Sequence, residues 1–73
     1  MDRMTPYYTV LFRDNVFSPF SIHFGSFDRD ECKDEQEHLA EAGYRRSQTK
    51  IITTTCEQSD IDQTVDHLNA TLV

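Results

Sequence analysis

The amino-acid sequence predicts an α+β fold in a single domain, residues 1–73: a small antiparallel three-stranded sheet with two helices on one face, in the order β-β-α-β-α. Three features point that way. All eight aromatics lie in the first 44 positions, five of them within two β-prone runs. An acid-rich segment bounded by helix start and stop signals follows. An isoleucine- and threonine-rich run then precedes an apolar stripe of helical spacing.

The first strand is YYTVLFR, Tyr7 to Arg13, with Tyr8, Val10 and Phe12 on one face and Tyr7, Thr9 and Leu11 on the other. Asp14-Asn15 reads as a turn, and Pro19 holds Ser18 extended before FSIHF resumes alternation. In this second strand Phe20, Ile22 and Phe24 are expected inward, Ser21 and His23 outward. A helix is expected from about Arg29 to Ala42. Asp28 is its N-cap, Glu31 the answering half of a capping box, Phe27 a staple onto Cys32, and Gly43 the left-handed stop. Tyr44 to Cys56, with Ile51, Ile52 and three successive threonines, carries the third strand. Ser59 is the expected cap of the last helix, with Asp60 and Asp62 in its first turn and an apolar stripe of Ile61, Val65, Leu68 and Leu72. Antiparallel sheet order 2-1-3 is expected, with order 1-2-3 and a right-handed crossover as its competitor.

A chain of 73 residues is near the lower limit for a core that holds without staples. Its formal net charge of −6 opposes binding to a phosphate backbone and suits a larger protein with a basic surface, with nucleic acid a poor match as main partner. With no apolar run of signal or membrane-span length, the expectation is a soluble, cytoplasmic protein with no membrane partner. Cys32 and Cys56 are too few for a disulfide framework, but the topology brings both to one end of the molecule, so a bond between them stays open. Metal-ligand pairs are missing: Cys32 and His38 sit on different sides of the first helix, so no metal or cofactor is expected. There is neither a nucleophile elbow nor a glycine-rich phosphate loop, and a non-enzymatic role follows.

The function therefore turns on FDRDECKDEQEHLAEAGYRR, Phe27 to Arg46. At 100° per residue Asp30, Asp34, Glu37 and Glu41 fall within roughly 60° of one another, opposite Cys32, Gln36, Leu39 and Ala40. That makes an acidic ridge about 16 Å long, from the 1.5 Å rise, which Asp62 and Asp66 on the last helix are expected to continue. Like charges four apart repel, and nothing in the folded chain requires four in a row. A solvated face is the plain interpretation. The functional one is a sparse imitation of the charge row on duplex DNA, offered to an arginine- or lysine-lined site. The alternative is a nucleic-acid-binding or transcription-modulating domain in which Arg13, Tyr44, Arg45 and Arg46, with Phe17, grip a single strand. Self-association as a homodimer is a further route, because both helices have thin apolar sides.

In size, acidity and lack of motifs the chain resembles the small inhibitors that bacteriophages make against host machinery, anti-CRISPR and anti-restriction proteins among them. The resemblance implies an acidic inhibitor, a nucleic-acid mimic, that works by protein–protein interaction on a larger partner.

Overall fold

The computed structural model describes residues 5–70. Strands β1 (Tyr7–Phe12) and β2 (Ser21–Ser26) are followed by helix α1 (Arg29–Glu41), strand β3 (Thr49–Thr54) and helix α2 (Gln58–Ala70). The α+β class and element order are as the sequence predicts. So is the sheet, antiparallel throughout in the order β2-β1-β3.

The two helices, however, cover opposite faces of the sheet, not the one face expected. On one face Val10 packs with Cys32 and Leu39 of α1, flanked by Tyr8, Phe12, Phe24, Tyr44 and Ile51. On the other, Leu11, Phe20 and Ile52 pack with Ile61 and Val65 of α2. The cause lies in the central strand. β1 carries large apolar groups at both odd and even positions, and Val10 and Leu11 are each wholly buried although they point to opposite faces. Leaving either set in water would forfeit roughly 1.5–3 kcal/mol per large aliphatic side chain. Each face therefore takes a helix, and the sheet becomes the middle of three layers.

β2 breaks its expected alternation at a β-bulge. Val10 pairs with Phe24 but Leu11 pairs with Ile22, so His23 is an extra residue opposite β1. Phe24 consequently joins the α1 side, while Ile22 turns to the α2 side and stays 45% exposed. His23 sets its ring edge-on to Phe12 at 5.8 Å rather than facing solvent alone.

The start of α1 uses the expected cap with a different partner. Asp28 accepts a hydrogen bond from the Asp30 amide at 2.9 Å. The other half of the box belongs to Ser26, whose Oγ accepts from the Asp28 amide at 3.0 Å and donates to Glu31 at 2.8 Å. Glu31 thus reaches the cap through Ser26, and Phe27 lies edge-on to Tyr7 at 4.9 Å. Gly43 ends the helix as predicted, with φ 108°. The amide of Tyr44 donates to the Leu39 carbonyl and that of Gly43 to Ala40, the paired bonds of a Schellman turn, with Leu39 and Tyr44 in the same apolar cluster.

β3 begins later than the strand signal from Tyr44, because Arg46–Gln48 form a 3-10 turn. Gln48 closes that turn by accepting from the Arg45 amide at 2.8 Å, and its own Nε2 donates to the Asp14 and Arg13 carbonyls. α2 begins at Gln58, so Ser59 lies inside its first turn and is not the cap. Asp60 reaches back instead, accepting from the Thr55 amide at 2.9 Å and the Thr55 hydroxyl at 3.0 Å. Ile61, Val65 and Leu68 of the predicted stripe face the sheet, and Leu72 lies outside the described residues. Near the end of α2, Asn69 accepts from the Phe20 amide at 2.7 Å and donates to its carbonyl at 3.3 Å, which ties the helix to the entrance of β2.

Candidate interaction surfaces

Cys32 and Leu39 fix the rotation of α1 by burying themselves against β1. The 100° step then carries Asp30, Asp34, Glu37 and Glu41 to the far side, and all four are exposed. Among the described residues no lysine or arginine comes within ion-pair distance of them. Glu35, on the flank nearer β2, behaves differently: it lies 3.2 Å from His23 and 3.7 Å from His38. The crest of α1 is therefore acidic and uncompensated, while an acid on its flank has partners.

Asp62 and Asp66 are exposed on α2, but α2 covers the opposite face of the sheet. The expectation that they continue the ridge is corrected on that ground: the two helices offer two separate acidic surfaces. Asp62 also accepts from Gln58 Nε2 at 3.0 Å within its own helix.

The arginines read as a grip on a single strand lie near one another, around the start of β3. Arg13 donates from Nε to the Ser47 carbonyl at 2.8 Å and lays its guanidinium over the Phe20 ring at 4.3 Å from the centroid. This holds Arg13 in place, whereas Arg45 and Arg46 stand exposed in the 3-10 turn and its cap. Tyr44 is half-buried, edge-on to Phe12 at 5.8 Å. Phe17, at 87% exposure, is the most open large apolar side chain of the described residues.

Around these bases the surface is concave. A recess of about 530 Å³ between α1 and the start of β3 is lined by Lys33, Gln36, Glu37, Tyr44, Arg45 and Arg46, with Thr49. A second, of about 280 Å³, opens on the α2 side of the same strand end and is lined by Arg13, Phe20, Arg46, Ser47, Lys50 and Leu68, again with Thr49. Arg46 and Thr49 border both. Lys33 and Lys50 are the members that the sequence reading overlooked. The wheel held the signal for Lys33, which falls about 40–100° from the members of the acidic crest, toward the β3 side.

The thiol of Cys32 is fully buried and close to the Tyr8 carbonyl at 3.5 Å. Burial pushes its pKa up, and Glu31, Asp28 and Glu35 raise it further against a lowering hydrogen bond at the Ser26 backbone. It is a poor nucleophile at neutral pH. Cys56 is exposed, and both cysteines are free. Among the described residues no three of His, Cys, Asp and Glu converge as a metal site would require, and no helix is long and apolar enough to cross a membrane. No protein-family model, curated protein or solved structure matches the chain.

Proposed function

We propose that this protein is a cytoplasmic, non-enzymatic binding module that sets the α1 crest against a basic, nucleic-acid-binding surface of a larger protein and so inhibits it, in the manner of the anti-defence inhibitors of phages. The observation that carries this reading is the row of Asp30, Asp34, Glu37 and Glu41, exposed along one helix and unpaired with any lysine or arginine of the described residues. Neighbouring carboxylates at helical spacing cost α1 a few tenths of a kcal/mol per pair. A basic groove removes that repulsion and gains complementary charge, which also speeds encounter. The separation of α1 from α2 limits the contact to one helix face, so Asp30, Asp34, Glu37 and Glu41 are the binding residues and Asp62 and Asp66 lie outside it.

Charge reversal at the crest tests the proposal. Asp34→Lys with Glu41→Lys leaves the packing of Cys32 and Leu39 untouched. Tagged wild-type protein should retain a nucleic-acid-binding protein from host lysate, duplex DNA should compete for it, and the complex should weaken sharply as salt shortens the Debye length from ~8 Å to ~3 Å. The double variant should lose the partner, roughly tenfold or more in affinity. Retention unaffected by either salt or charge reversal would dispose of the crest as the binding surface.

A further inference from the structure

The acidity of the chain hides a strong segregation of its bases. Six lysines and arginines fall among the described residues, and five of them (Arg13, Lys33, Arg45, Arg46 and Lys50) line the two adjoining recesses. Only Arg29 does not. The first recess sets three cations against one carboxylate, Glu37, and the second has three cations and no carboxylate. None of these cations is ion-paired among the described residues. Like charges collected in a concavity reinforce one another's field, and the site is unfilled by the protein's own acids although thirteen acids stand in the chain.

We propose that these two recesses form a binding site for the phosphates of a single nucleic-acid strand, with Arg46 at the junction contacting the strand as it passes from one recess to the other. The site meets the α1 crest at Glu37 but rests on the bases and not on the crest reading. Three features select this ligand. The recesses lie on the two sides of the sheet and meet at Arg46 and Thr49, at the start of the edge strand β3, so they form a track around the strand end for a chain of phosphates and not one anion pocket. Tyr44, half-buried in the first recess, puts an aromatic group beside the cations, the combination by which proteins hold unpaired bases and their backbone, while Phe20 in the second is buried beneath the Arg13 guanidinium and holds that cation in place. Duplex is disfavoured by what surrounds the track: the first recess is bounded by Glu37 on the crest of α1, and the second strand of a duplex would be carried over those carboxylates. Gln36 and Thr49, already joined at 3.1 Å, supply neutral polar groups at the floor.

The experiment uses the full chain and fluorescence anisotropy of a labelled single strand of about ten nucleotides, within the span that such grooves accommodate. At low salt the strand should bind. Its affinity should fall with salt at a slope of about 0.7 per phosphate neutralised, corresponding to two or three contacts. Arg46→Glu should weaken binding roughly tenfold or more and flatten the slope, and Lys33→Glu with Lys50→Glu should do the same by an independent route. Arg29→Glu, outside both recesses, should change it far less. Circular dichroism shows that each variant is folded. Absence of binding at low salt overturns the proposal, as does an Arg29→Glu effect equal to that of Arg46→Glu. Pyrophosphate that displaces the strand at equal concentration overturns it in favour of a simple anion pocket, and polyglutamate that competes as well as unlabelled strand does so in favour of an acidic polypeptide. Because the crest residues Asp34 and Glu41 do not line the recesses, loss of partner in their double variant and loss of strand in Arg46→Glu report on separate surfaces.

Discussion

Thr9 shows how one side chain records its surroundings. It lies in the central strand at 1% exposure, on the α2 side, and its hydroxyl has no hydrogen-bond partner among the described residues. A buried, unsatisfied hydroxyl costs about 1–3 kcal/mol, while valine keeps the branched shape that the strand favours. Thr9→Val should therefore stabilise the protein by about 1 kcal/mol and raise its melting temperature by about 4–8 °C. A lower melting temperature would show that the hydroxyl is bonded to water in the small recess it shares with Tyr7 and Ile22. Asp60 is the converse case. Hydrogen bonds from the Thr55 amide and then the Thr55 hydroxyl hold its carboxyl below the usual carboxylate range. The folded state thus prefers the ionised form, and this contribution is complete above the unfolded pKa and is lost as pH falls through the lower folded value. In urea unfolding, Asp60→Asn should be less stable than wild type at neutral pH, with the gap closing in acid. A gap constant with pH would mean that the amide replaces the carboxylate only sterically.

Among the elements, α1 has the most complete set of local instructions and the least apolar surface. Cys32 and Leu39 are its buried side chains, so its ends matter to an unusual degree. Asp28→Ala removes the acceptor for the Asp30 amide and should cost about 1 kcal/mol, read as a lower denaturation midpoint with an unchanged m-value. Ser26 should partly support the cap in that variant, so Ser26→Ala combined with Asp28→Ala should cost more than either change alone. The local signals that place α1 were legible: Asp28 and Gly43 act as read. The partner of Glu31 was not, because Ser26 enters the cap from the end of a strand, and only the path of β2 brings it there. Gln48 teaches the same lesson at the other end. Its turn against Arg13 and Asp14 is a contact across 34 or 35 residues, and no local pattern distinguishes that from the start of a strand.

At the scale of the molecule, charge is sorted: acids along the outsides of α1 and α2, five bases around two recesses beside β3. The formal charge of −6 describes the sum and conceals the arrangement. Since among the described residues the crest carboxylates have no lysine or arginine partner, their mutual repulsion is expected to outweigh any attraction that salt would screen. Raising sodium chloride from about 50 mM to about 500 mM should therefore raise stability by several tenths of a kcal/mol, seen as a higher urea midpoint. A falling midpoint would reveal favourable ion pairs dominating the folded state.

The sequence by itself determined the α+β class, the order of elements and the exposure of the α1 carboxylates, while between sheet orders 2-1-3 and 1-2-3 the structure decided for the one with β1 at its centre. Periodicity, caps and turn residues act over a few positions, and those signals were all local. Only the tertiary structure decided that the helices lie on opposite faces, that His23 is a bulge, that Asp62 and Asp66 part company with the ridge, and that Lys33 and Lys50 join the arginines. Each of these depends on which face of a two-sided apolar strand is covered by which helix, and a strand with Val10 and Leu11 both demanding burial states the need for two covers without saying what must supply them.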